Sequence, residues 1–180
     1  MNDEIKSLAS RSLIQRARSV CVAEFGDEMV AEFSLRHIRA AEDGGYIENW
    51  LHGKPRLPAV YTITAANDVT IRALVEAFPG RDRNNPHGYA RPQLNNTDAN
   101  MLTLYVGSSE TVVSRLKEHL WQAHAKTYAL NLRRWCPNAD GSVIVRIQPI
   151  LRPVDRQVMQ DLESALWRSL TPHYGKLGSR

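Results

Sequence analysis

Three short runs rich in β-branched and aromatic residues limit most strongly what this chain can become: Val60-Tyr61-Thr62-Ile63-Thr64, Met101 to Val106, and Val143 to Ile150. Each has the composition and length of a strand and lies close to glycine, proline or asparagine. Helical patterns surround them. From Glu4 to about Phe25, Ile5, Leu8, Leu13, Ile14, Ala17 and Val20 recur as one apolar face. A second helix is expected from about Asp27 to Glu42, with Val30, Phe33, Leu35 and Ile38 as its apolar positions and Gly44-Gly45 as its stop. A short helical turn follows around Tyr46–Leu51. Asn67-Asp68 caps a helix from Val69 to Phe78, another runs from about Glu110 to Ala125, and Asp155 opens a last one reaching Leu170.

The expected fold is therefore α+β: a small three-stranded, mainly antiparallel sheet flanked by helices, with an N-terminal helical extension. Gly53, Pro55 and Pro58 break the chain, so residues 1–55 read as the extension and residues 56–180 as the main domain. Residues 67–100 form an insertion between the first two strands, and their loop-rich part carries Arg81, Arg83, His87 and Arg91. A loop of that length inside a compact domain is more often functional or mobile than accidental. Its arginines suit a phosphate backbone.

Composition narrows the class. With 43% hydrophobic and 23% charged residues, the chain is an ordinary globular one. Nothing approaches a run of about 18 apolar residues, so no membrane span is expected. The first residues lack a signal-peptide pattern, which makes a cytoplasmic location the expectation. Cys21 and Cys136 are far apart and read as reduced thiols, and the scattered histidines lack zinc-ligand spacing. Lys and Arg are outnumbered by Asp and Glu in residues 1–55 but exceed them in residues 56–180, which carry the whole positive excess. Such a basic domain favours polyanionic partners, because neutralising phosphates releases condensed counterions.

The segment Leu104 to Leu120 is the richest in chemistry. Gly107 is expected to turn the chain tightly between strand and helix, with Ser108 beside it. In the helix, Val112, Leu116 and Leu120 form one stripe, while Arg115 and His119 lie four apart on a neighbouring one. A guanidinium grips phosphate oxygens through charge-assisted hydrogen bonds, and an imidazole exchanges protons near neutral pH. On the last helix Glu163 sits at the edge of an apolar face, as a carboxylate ligand for a hard cation would.

Taken together, these residues resemble the GIY-YIG nuclease family. Ala59-Val60-Tyr61 is similar to its first signature and Tyr105-Val106-Gly107 to its second. Arg115 follows Tyr105 by ten residues, His119 comes four later, and Glu163 precedes Pro172 where the family carries its metal-binding glutamate. The resemblance spans residues 58–178. The departures are Ala59 in place of a glycine, the long insertion, and Gly175 where an asparagine is common. Residues 1–55 match nothing in the family's core.

The resemblance implies metal-dependent endonuclease hydrolysis of DNA phosphodiester bonds with water as nucleophile. Glu163 would hold Mg²⁺ or Mn²⁺, Arg115 would stabilise the transition state, and Tyr105 would position phosphate or water. Gly107 and Ser108 would wall the nucleic-acid cleft. The general base is open between Tyr61 and His119, since a free tyrosine titrates near ~10. RNA shares the same phosphate chemistry, and a homodimer formed through the extension is compatible with it. The alternative is a non-catalytic nucleic-acid-binding module or a partner-binding protein on the same fold.

Overall fold

The computed structural model describes residues 2–40, 45–52, 56–79, 92–98, 101–122 and 128–178. Arg81, Arg83, His87 and Arg91, expected to contact phosphate, lie outside these described residues. In chain order the elements are α1 (Asn2–Cys21), β1 (Met29–Ser34), α2 (Leu35–Ala40), α3 (Tyr46–Trp50), β2 (Ala59–Ala65) and α4 (Asp68–Ala77). Then follow β3 (Thr103–Ser109), α5 (Val112–Leu120), α6 (Leu132–Trp135), β4 (Ser142–Pro149) and α7 (Arg156–Leu170). The architecture is α+β. Among the described residues no helix is long and apolar enough to cross a membrane.

The sheet has four strands, not three, in the antiparallel order β1-β4-β2-β3. The extra strand, Met29–Ser34, replaces the first part of the helix expected from Asp27 to Glu42. Met29-Val30-Ala31-Glu32-Phe33-Ser34 alternates between more and less buried positions and pairs along its whole length with β4. Its Met, Ala and Glu are good helix formers, but six residues gain little from helix propensity. The ladder with β4 satisfies every other backbone group and sends Phe33 into the core. Among the described residues of the expected helix, Leu35–Ala40 are helical.

Alternation along β2 sends side chains to two layers. Ala59, Tyr61, Ile63 and Ala65 enter the main core, which also holds Val112, Leu116 and Leu120 of α5. On the other face, Val60 packs with Ile150 and with Met159 of α7 in a smaller cluster. Helix α4 starts where expected: the Asn67 side chain accepts from Thr70 N. Helix α7 starts at Asp155, whose carboxylate accepts from Gln157 N. On α7, Val158, Met159 and Ser164 are buried while Ala165 and Ser169 are exposed.

Strand β3 runs three residues beyond its expected end, so Gly107, Ser108 and Ser109 belong to the ladder and do not terminate it. After α7, His173 N and Tyr174 N donate to Thr103 O and Leu104 O, covering the start of the outer edge of β3. Residues 92–98 brace that segment: Asn95 Nδ2 and Thr97 Oγ1 both donate to Pro172 O.

Candidate active site

At the far end of β3 the two layers of the fold meet over the sheet's edge. Gly107 is the cross-strand partner of Tyr61, and Ser108 that of Val60. Tyr61 and Tyr105 therefore stand on the α5 face, while Ser108 points to the α7 face. What lets the faces share one cleft is the missing side chain at Gly107. A Cβ there would lie 2.5 Å from Tyr61 Oη and 2.8 Å from Tyr105 Cε1. The expectation of a tight turn at Gly107 is thus corrected: the glycine serves close approach within a strand. Gly175, with φ +102°, presses on the other side of the Tyr105 ring, 3.0 Å from Cε2 to an added Cβ.

His119 lies under Tyr61 and is fully buried. Leu130 N donates to His119 Nδ1 at 3.0 Å. That nitrogen therefore carries no proton, and the neutral ring keeps its proton on Nε2. Nε2 in turn meets Tyr61 Oη at 2.9 Å, so the imidazole donates and the phenol accepts. The proton of Tyr61 is then available to the cleft. Burial, assisted by the Arg115 charge, holds His119 well below its ordinary pKa and fixes it as neutral imidazole. Burial also holds the Tyr61 hydroxyl well above its ordinary value; Tyr105 adds to the rise, and Arg115 opposes it.

Arg115 is held from three directions. Nη1 donates to Glu118 Oε2 at 2.5 Å, and Nη2 donates to the Tyr128 carbonyl at 2.7 Å and more weakly to Tyr105 Oη at 3.5 Å. Burial lowers its pKa, but Tyr61, Tyr105 and the Glu118 bond outweigh burial, so the guanidinium stays charged. Across the edge strand, Ser108 Oγ donates to Glu163 Oε2 at 2.5 Å.

Tyr61, Tyr105, Gly107, Ser108, Arg115 and Glu163 all line one cleft of about 730 Å³. Six of the expected site residues thus come together around one space, with His119 directly behind Tyr61. The sequence reading overlooked the backbone groups of Tyr128 and Leu130, which have no side-chain signature. It also gave no role to Glu118, although an acid three residues after Arg115 on one helix is a visible pairing signal. Arg56, Arg156 and Gln160 also line the cleft, and nothing in their spacing pointed to it.

The donor set bears on what metal the cleft suits. Among the described residues, no group of three His, Cys, Asp or Glu converges. Glu163 and Glu110 are the two carboxylates among these residues that line the cleft, with Glu163 also accepting from Ser108. That fits a hard cation such as Mg²⁺ or Mn²⁺, which keeps several waters and draws its other oxygens from a phosphate. It does not fit zinc, which asks for three or four protein ligands. Comparison with protein-family models, curated proteins and solved structures gives no match to this chain.

Proposed function

We propose that this protein is a metal-dependent endonuclease that hydrolyses nucleic-acid phosphodiester bonds, DNA first among them. The observation that carries the reading is the convergence of Tyr61, Tyr105, Arg115 and Glu163 on one cleft. These are also the residues on which the resemblance to the GIY-YIG nucleases rests.

Glu163 would hold Mg²⁺ or Mn²⁺, and the ion, when bound, supplies electrophilic polarisation of the phosphate. Arg115, charged and partly buried, faces the extra negative charge that develops at phosphorus; fixed charges in such a site typically dominate catalysis. Tyr105 orients a phosphate oxygen beside it. Tyr61 directs its proton into the cleft, which suits it to orient the attacking water. Burial holds the Tyr61 phenol well above its ordinary pKa against the opposing Arg115 charge, so at rest it keeps its proton. The Nε2–H of His119 positions the phenol. A general base at either residue requires a departure from this resting state: loss of the Tyr61 proton, or exchange of the His119 tautomer.

A plasmid-nicking assay with Mg²⁺ or Mn²⁺ tests the reading. Wild type should relax supercoiled DNA, and Glu163→Ala and Arg115→Ala should each lower the rate by about 10²-fold or more. Undiminished nicking by either variant sinks the catalytic assignment. Salt-sensitive binding without cleavage in any metal would leave a binding module in its place.

A further inference from the structure

The cleft is also lined by side chains to which the proposed chemistry gives no role, and they come from the segments that lead into β2 and α7. Arg56 and Pro58 lead into β2, and Val154 and Arg156 lead into α7, whose first turns add Met159 and Gln160. Pro58, Val154 and Met159 form an aliphatic wall, with Met159 buried and the other two partly so. Arg56 and Arg156 are exposed and take part in none of the ion pairs among the described residues. The Gln160 amide, half-buried, offers both donors and an acceptor beside that wall.

An aliphatic surface flanked by two exposed guanidiniums and one amide has the pattern of a nucleotide site. The base covers the wall, the amide reads its edge, and the arginines take the phosphates on either side. The volume agrees. The whole cleft, with the groups of the proposed chemistry included, holds about 730 Å³, within the roughly 300–1,000 Å³ of sites that seat a small ligand. We infer that these groups seat one unstacked nucleotide of a single strand, next to the phosphate to be cut. The inference rests on the nuclease reading for its adjacent phosphate, and it commits the substrate to a strand that is single, frayed or locally opened. Unstacking a base costs least where the base is already unpaired.

The test uses Glu163→Ala protein, which holds substrate without cutting it, and fluorescein-labelled 12-mer single strands of DNA and of RNA. Arg56→Ala and Arg156→Ala, added singly, should each weaken binding about fivefold to tenfold at 0.1 M salt and reduce the log–log salt slope by about 1. The strand type that binds more tightly identifies the natural sugar. A 2-aminopurine scanned through the 12-mer should brighten at one position, since the wall has no aromatic ring to quench it. In the Glu163 background, unchanged affinity and slope in both arginine variants overturn the seat, as does the absence of any brightened position. A second arm uses the cutting enzyme. Arg56→Ala and Arg156→Ala should lose at least about five times more activity on the oligonucleotide than on bis(4-nitrophenyl) phosphate, which has no flanking phosphates; equal losses overturn the seat. Binding through both arginines by a wild-type protein that cuts neither substrate would sink the nuclease reading and leave the seat standing. Cutting that ignores both arginines would do the reverse.

Discussion

Strands β1 and β3 both run along an edge of the same antiparallel sheet, yet they are built on different rules. Strand β1 is an ordinary amphipathic strand: its inward side chains pack, its outward ones are solvated, and each residue answers only to its own face. Strand β3 is shaped by what stands beside it. Gly107 is bare because Tyr61 and Tyr105 occupy its side-chain space, Ser108 is committed to Glu163, and residues 173–174 close the outer edge near its start. The comparison teaches that an edge becomes a site when both layers of a fold reach around it, which requires a position with no side chain. The expected cost of disturbing the two edges therefore differs sharply.

The strongest way to break that comparison is to add bulk at each edge. Gly107→Ala places a carbon 2.5 Å from Tyr61 Oη and 2.7 Å from its Cζ, and the Tyr61 ring is fixed in the core with no flexible end to yield. The expected loss is about 1–3 kcal/mol of stability, the usual range for overpacking. Nicking should fall by about 10²-fold, because a displacement of an ångström is enough to misalign reacting groups. Val30→Thr on β1, at a side chain that is 49% exposed, should change stability by less than about 0.5 kcal/mol and leave nicking intact. Urea unfolding of both variants alongside the plasmid assay makes the measurement. Matched losses at the two edges would erase the distinction.

The same contrast explains what was legible in the sequence. The runs around Ile63, Leu104 and Val145 announced their strands because β-branched and large apolar side chains pack wherever a half-buried pleat exists. The cap residues Asn67 and Asp155 announced their helices for an equally local reason. Strand β1 was misread because Met, Ala and Glu favour helix locally, and only its pairing with β4, more than a hundred residues away, reverses that preference. The site divides along the same line. Tyr61, Tyr105, Arg115, His119 and Glu163 were visible as spaced side chains. The donor that sets the His119 tautomer is a main-chain N–H at Leu130, and any residue but proline supplies one. Gly107 was correctly singled out for the wrong reason, since a glycine in isolation says that space or torsion is needed and not which.

A second prediction sharpens the comparison through pH, because the β3 side depends on a buried neutral imidazole. Its folded pKa is depressed by burial from an ordinary 6.5, so below that pH the unfolded chain takes up a proton that the folded chain refuses. Stability from this group is complete above its ordinary pKa and falls by about 1.4 kcal/mol per pH unit below it, until the depressed folded value is reached. His119→Gln can still hydrogen-bond but does not titrate. Urea midpoints at pH 7.5, 6.0 and 5.0 should fall more steeply for wild type than for His119→Gln. Parallel pH profiles would show that this imidazole is not what makes the β3 side acid-sensitive.

The smallest expected effect concerns Glu118. Its bond to Arg115 joins two side chains that are only 21% and 14% exposed, so it escapes most of the screening that makes surface pairs nearly worthless. Glu118 touches no reacting group in the proposed mechanism and acts by aiming Arg115, while the Tyr128 carbonyl holds the other guanidinium nitrogen. Glu118→Gln keeps an acceptor at the same place and should lower kcat about threefold, whereas Glu118→Ala removes it and should lower kcat about tenfold, on the scale of one hydrogen bond's net contribution. KM should move little in either, because the guanidinium charge remains in the cleft. The ordering wild type, Gln, Ala in kcat distinguishes aiming from mere neutralisation: if Glu118 only damped the charge of Arg115, both substitutions would raise the rate by exposing a stronger cation to the phosphate.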